Sequence, residues 1–409
     1  MINADRLWQR LMRLAEIGAL PGGGVDRQAL SAGEIDAWRL VIGWASEAGM
    51  SAASDLAGNL FLTLPGRDRS LPPVMAGSHL DTQPTGGKFD GAFGVMAALE
   101  AAVSMAERGL VPARDLVVVA WMNEEGSRFA PGMMGSEWFA GVRDLAAIRA
   151  TKDAAGIGVG DALDWLHAAF PDLAHHAAGF PVAAYLEPHI EQGPVLEQQA
   201  QVIGVVTGIQ GKTTWEITIT GREGHAGTLT MADRADALMA FARMAVAWQA
   251  EIGLADAAVK FTIGRLVVAP NAPSVVPNRV TLRIDLRHPD NAVLNRLGAR
   301  LETIAHELAA PCGVAITRLV DAPSNEFDDA LRARITAAAA RHNLSSMPML
   351  SAAGHDARHL APLCPSAMIF IPCRGGISHA EDEWAEPAHV AAGALVVAEV
   401  LAALVTPDA

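Results

Sequence analysis

The chain has little cysteine: Cys312, Cys364 and Cys373 are the three among 409 residues. An odd number without metal-like spacing argues against a disulfide framework and against thiolate ligation, and it fits a reducing cytoplasm. Clustered cations are scarce too. Lys and Arg total 31 against 45 Asp and Glu, giving a net charge of −14, and no basic run is present to track phosphates, so no nucleic-acid partner is expected. No window approaches the roughly twenty uninterrupted apolar residues of a membrane span, so no membrane partner is expected either. The opening MINADRLWQRLMRLAEI alternates apolar and charged residues at helical spacing, unlike the continuous apolar stretch of a signal peptide. Internal repeats, low-complexity tracts and long linkers are missing. What is present is a 51% apolar composition, enough for a large core in a cytoplasmic protein of roughly two to three domains.

Strand-like and helical segments alternate through the first part of the chain. An amphipathic opening helix precedes a second one around Ser31 to Ala48. NLFLTL from Asn59, PVMAGSH from Pro73 to His79, LVVVAWM from Leu116, AAYLEPH from Ala183 and SAMIFIP from Ser366 read as strands, and Gly91 to Arg108 as a long helix. The run from Leu116 has no polar alternation, the mark of a strand buried on both faces. This order predicts an α/β domain whose mostly parallel mixed sheet is flanked by helices.

Between about Gly211 and Asn325 the periodicity changes. TTWEITITG from Thr213, VKFTIGRLVVA from Val259, VTLRIDLR from Val280 and GVAITRLV from Gly313 alternate strictly. Helical patterns at Ala232 to Ala250 and Ala292 to Ala310 fall between them. The order β-α-β-β-α-β predicts a ferredoxin-like insertion. The expected division is therefore 1–210 with 326–409 as one domain and 211–325 as the other. An exposed sheet edge on the insertion suggests a homodimer through 211–325, although an exposed face in a monomer fits the pattern nearly as well.

Chemistry-bearing residues follow the strands, where an open α/β sheet collects functional side chains. In His79-Leu-Asp81, residues two apart on an extended segment face the same way. Asp81 can then accept the spare ring N–H of His79 and leave the other nitrogen for a metal; a structural His–Asp pair is the plainer alternative. Asp90, in GGKFDG from Gly86, projects from a glycine-bounded turn, where one carboxylate can bridge two cations or simply cap the next helix. Glu124 and Glu125 follow the buried strand. Two adjacent buried carboxylates repel each other unless a cation or a raised pKa compensates. We read Glu125 as a ligand and Glu124 as the general base that takes a proton from metal-bound water. His189 and His379, each after a strand and near glycine, are the remaining donors. His167, His175, His176, His306, His342 and His389 are read as structural.

These segments resemble the hydantoinase/carbamoylase branch of the M20 metallopeptidase superfamily. The resemblance lies in GSHLDT from Gly77, GGKFDG from Gly86, NEEGSRF from Asn123, HIEQGPVLE from His189, GREGHAG from Gly221, PNRVTLRIDLR from Pro277, GHDA from Gly354 and GISH from Gly376. It runs in order from about residue 75 to 385 and implies a catalytic domain with an inserted lid or dimerisation domain. One divalent cation would be held by His79, Asp90 and His189, and another by Asp90, Glu125 and His379. The metals would be Zn²⁺ or Mn²⁺, with Co²⁺ or Ni²⁺ as alternatives, because such ligands do not separate these ions. The resemblance also implies substrate contacts from Gln192, His225 and Arg287, with His225 stabilising an oxyanion and Arg287 clamping a carboxylate. In related enzymes that histidine often comes from the partner subunit. PNAPSVVP, from Pro270, departs from the branch pattern P-N-x-x-N-x-I-P: Asn271 is kept, but Ser274 replaces the second Asn. His355 and Asp356 are expected to make a supporting hydrogen bond or to belong to a structural loop.

The implied activity is a binuclear metal-dependent amidohydrolase in which a metal-bound hydroxide attacks the carbamoyl C–N bond of an N-carbamoyl amino acid or related ureido substrate. An allantoate or ureidoglycolate amidohydrolase, a dipeptidase or aminoacylase, and a catalytically silent binding protein of the same fold are the alternatives.

Overall fold

Four strands with no polar alternation lie side by side and parallel: Ser366–Ile371, Ala184–Ile190, Val74–His79 and Leu116–Trp121. Every residue in them is buried, as expected for parallel strands covered on both faces. Their register aligns His79 with Trp121 and His189 with Phe370, so the carboxyl ends share one edge. The computed structural model describes residues 2–406.

These strands form the centre of a mixed sheet. Leu60–Leu64 and then Ser51–Ser54 continue it antiparallel beyond Leu116–Trp121, and Ala174–His175 ends that side. On the other side Ile203–Ile209 is antiparallel to Ser366–Ile371, and Asn325–Glu326 and Ser346–Ser351 pair with it. The two-residue strands carry too little pattern to be read from sequence. Ile203–Ile209 is broken by two glycines, which dilutes its apolar run.

Helix Ala92–Glu107 is buried along nearly its whole length and packs on Val74–His79 and on helix Pro387–Val405. The second of these helices has the length and composition to cross a membrane, although His389 and Glu399 interrupt its apolar run. Its Val390, Ala394, Val397 and Leu401 are buried in the core of this unit, so it serves as a core helix.

The chain divides into two compact units, Met1–Gly208 with Glu326–Ala409, and Ile209–Asn325. The second has a four-stranded sheet in the order Gly313–Ala322, Gly211–Thr220, Arg279–His288, Lys260–Ala269, with all neighbours antiparallel. Helices Ala237–Trp248 and Asn291–Ala309 pack on it through Trp215, Ile217, Leu282, Ile284, Met244 and Leu301. Alternate residues of Gly211–Thr220 are buried, the consequence of one covered face. The first helix starts later than the periodicity predicts because Asp236 accepts the N–H groups of Leu238 and Met239 and caps it there.

Candidate metal centre

His79 closes its strand with a ring that is 1% exposed. Its Nδ1 lies 2.9 Å from the backbone oxygen of Asp81. A carbonyl only accepts, so Nδ1 carries the proton and Nε2 keeps its lone pair. His189 Nδ1 likewise donates to a backbone oxygen, that of Ile190 at 2.9 Å, which turns Nε2 toward Asp90.

The Asp81 side chain acts differently from the sequence expectation. Its carboxylate is 3.7 Å from the His79 ring nitrogen and instead accepts the backbone N–H groups of Glu124 and Glu125, both at 3.2 Å. The tautomer of His79 is thus set by a backbone oxygen, and the Asp81 carboxylate orients the glutamate pair.

Asp90 sits among the donors. Its Oδ1 is 3.2 Å from His189 Nε2 and 3.8 Å from His79 Nε2, and its Oδ2 is 3.2 Å from His379 Nε2. The capping alternative does not apply, since the N-cap of the next helix is Gly91 and no side chain caps it. Gly91 has φ +64°, and a Cβ there would lie 2.4 Å from the His79 ring. Only glycine lets the turn bring Asp90 this close to that ring.

Glu125 Oε2 is 3.3 Å from His379 Nε2 and accepts from Gln83 Nε2 at 2.7 Å. Glu124 Oε2 lies 3.6 Å from His79 Nε2. Two donor groups result, His79–Asp90–His189 and Asp90–Glu125–His379, each with its ligand atoms within 4.8 Å of one another. Asn123, Gln192 and His379 adopt left-handed backbone, φ +54° to +56°, a costly conformation that concentrates at functional sites.

The electrostatics show a site short of positive charge. Burial, together with Asp356 and Glu125, pushes the Glu124 carboxyl well above its usual range, and burial with Asp90 raises Glu125 to about 8. Burial alone would raise Asp90 as well, but hydrogen bonds from His189 and His379 hold it well below the usual range. Those bonds raise His379, and His189 against the effect of its burial, to about 9. Burial lowers His79 to about 4. Protonated imidazoles thus provide Asp90 with the counter-charge that a cation would provide, which is how protons and metals compete for one site. The donors are imidazole and carboxylate without thiolate, a set that fits divalent Zn²⁺, Mn²⁺, Co²⁺ or Ni²⁺.

Gln192 also joins this group, with Nε2 2.9 Å from Asp90 Oδ2 and 3.4 Å from His379 Nε2, while its buried Oε1 has no partner among the described residues. His355 packs its ring against His189, with centroids 4.5 Å apart, and its Nε2 pairs with Ser351 Oγ at 3.0 Å. Asp356 accepts from Ser136 Oγ, and burial, then Glu187, raises its carboxyl well above the usual range. His355 thus meets the centre by ring packing on His189, and neither of these two hydrogen bonds reaches a metal donor.

The inserted unit holds the other expected residues. Ala226 N–H donates to the Ser274 oxygen at 3.0 Å and Val276 N–H to the Gly224 oxygen at 2.8 Å, which sets His225 and Ser274 on paired segments. His225 is exposed and accepts the Gly227 N–H at Nδ1, 3.0 Å, so its proton is on Nε2. Asn271 is exposed with φ +56°. Arg287 grips Asp285 with Nε at 2.8 Å and a terminal nitrogen at 3.3 Å, so a substrate carboxylate would have to share that guanidinium. Sequence reasoning passed over Gln83, Ser378 and Glu383, which contact the donors. Glu383 stands in an ordinary acidic run, and nothing local distinguishes it.

The model of Peptidase family M20/M25/M40 matches residues 75–403. The chain belongs to this family. Among curated M20 relatives, an N-carbamoyl-L-amino-acid amidohydrolase of Rhizobium meliloti is 41% identical over 97% of this chain and 95% of its own length. The N-carbamoyl-L-amino acid amidohydrolase of Geobacillus stearothermophilus is 37% identical over 97% of both. A crystal structure of an amidase of the hydantoinase/carbamoylase family from Burkholderia multivorans superposes with a TM-score of 0.88 at 40% identity, covering 100% of this chain and 99% of that one.

Proposed function

We propose that this M20 chain is a metal-dependent amidohydrolase that cleaves the carbamoyl C–N bond of N-carbamoyl amino acids, releasing CO₂, ammonia and the amino acid. The reading rests on Asp90, whose two oxygens face separate donor groups, and on relatives named for that activity. His79, Asp90 and His189 would hold one divalent cation, and Asp90, Glu125 and His379 a second; Zn²⁺ or Mn²⁺ is proposed. Cations at such a site supply Lewis acidity and lower the pKa of water.

The chain's own residues do the rest. Glu124, its backbone N–H held by Asp81, takes a proton from the attacking water and delivers it to the leaving nitrogen. Gln192 offers the ureido group an amide donor and, through its unpartnered oxygen, an acceptor. His225 carries a proton on Nε2, the state needed to donate to a developing oxyanion, and Arg287 binds the substrate carboxylate. The insertion is proposed as a lid and as a homodimer contact, with Lys260–Ala269 at one edge of its sheet, and a cytoplasmic location is proposed.

The test is metal analysis of the purified protein together with turnover of a panel of N-carbamoyl amino acids, allantoate and dipeptides in Mn²⁺. Hydrolysis of the carbamoyl compounds is expected. Turnover of dipeptides alone would overturn the assignment.

A further inference from the structure

Glu383 is 2% exposed and lies far in sequence from the turn that presents Asp90. Its Oε1 accepts the backbone N–H groups of Phe89 at 2.9 Å and Asp90 at 3.1 Å. Its Oε2 lies 2.9 Å from Ser378 Oγ, next to His379. The turn is wrapped closely around this carboxylate, because a Cβ on Gly87 would lie 2.0 Å from Glu383 Oε1. The flanking aromatic residues fasten the same two segments. Phe89 and Trp384 meet edge-to-face at 5.7 Å, and Trp8 packs on both.

The Ser378 hydroxyl is also 2.9 Å from Asp90 Oδ2. It has a single proton, so it donates to Glu383 or to Asp90 but not to both. When it donates to Glu383, Asp90 Oδ2 is released from that bond and is available as a ligand.

We propose that Glu383 is the positioning residue of the centre: it sets the Asp90 turn against the His379 loop and draws the Ser378 proton away from the shared carboxylate. The inference rests on the reading of Asp90 as a ligand common to two cation sites. Nothing in it depends on which amide is hydrolysed.

Glu383→Gln keeps the side-chain shape but places an amide donor in the carboxylate's position. Facing Ser378, that amide turns the hydroxyl toward Asp90, where it competes with a cation. Chelator-treated full-length protein would be titrated with Co²⁺, following both affinity and the visible absorption of the bound ion. Co²⁺ affinity is expected to fall about 10- to 100-fold, as for other residues that support metal ligands, with a changed spectrum and a metal-free melting temperature close to wild type. Adding Ser378→Ala to Glu383→Gln removes the competing donor and should recover much of the affinity. Wild-type affinity and spectrum in Glu383→Gln would overturn the proposal, whether or not the melting temperature falls, since a purely structural role would change stability alone. A double variant as weak as the single one would overturn the part assigned to the hydroxyl. If wild-type protein bound no Co²⁺, the metal reading itself would fail, an outcome distinguishable from both.

Discussion

The Asp81 carboxylate accepts the backbone N–H of Glu124 at 3.2 Å, so the position of the proposed base depends on a residue two places beyond His79 rather than on its own strand. Its other oxygen holds the N–H of Glu125 at the same distance. Replacing Asp81 by Ala should loosen both glutamates and lower kcat by about 10- to 100-fold, the usual cost of losing a residue that orients the ligands. KM should change much less. A steady-state comparison with metal held in excess checks this.

Glu124→Gln should lower kcat by about 10²- to 10⁴-fold, the usual contribution of a general base, and leave metal content close to wild type. Glu124 lies outside both donor groups. Unchanged turnover in this variant would remove Glu124 from the mechanism.

Gly91→Ala should prevent assembly of the centre. The added Cβ must move away from the His79 ring, 2.4 Å distant, and the residue must keep φ +64°. Metal content and activity should fall together, and a soluble, folded variant that still binds metal at full stoichiometry would contradict the geometry.

Metal removal should make stability strongly pH-dependent. In the metal-free protein Glu125 is raised from 4.5 to about 8, and His189 and His379 from 6.5 to about 9. A raised folded-state pKa contributes stability below the unfolded value that is lost as pH rises through the folded one. Chelator-treated protein should therefore melt at progressively lower temperature from pH 6.5 to 9. His79 is lowered and has its effect below pH 6.5, outside that window. Added Mn²⁺ at about 100 times its Kd should restore roughly 2.7 kcal/mol, and thermal melts across the range with and without the ion test both statements.

Ser274→Asn should change the ranking of substrates in kcat/KM while leaving metal content untouched. Residue 274 is on the inserted unit beside His225, and an amide reaches farther than a hydroxyl and can donate as well as accept. An identical ranking across the panel would show that Ser274 does not touch substrate.

Most of the donor set was legible in the chain because His79, Glu125, His189 and His379 follow runs whose apolar pattern marks a buried strand, because Asp90 stands in a glycine-bounded turn, and because strictly alternating strands between Gly211 and Val320 set the insertion apart. Local pattern could not specify which atom of a residue is used. Asp81 was expected to hold the His79 ring and instead holds the backbone of two glutamates, since a strand end offers both a carbonyl and a carboxylate and only packing selects between them. Glu383 carried no signal, because an acidic residue in an acidic run becomes distinctive only when the Asp90 turn closes around it. Sequence alone determined the donor types and their attachment to strand ends or, for Asp90, to a glycine turn. Which strands lie next to one another, and in what register, was decided by tertiary structure, because convergence within a few ångströms depends on sheet order and register between segments far apart in the chain.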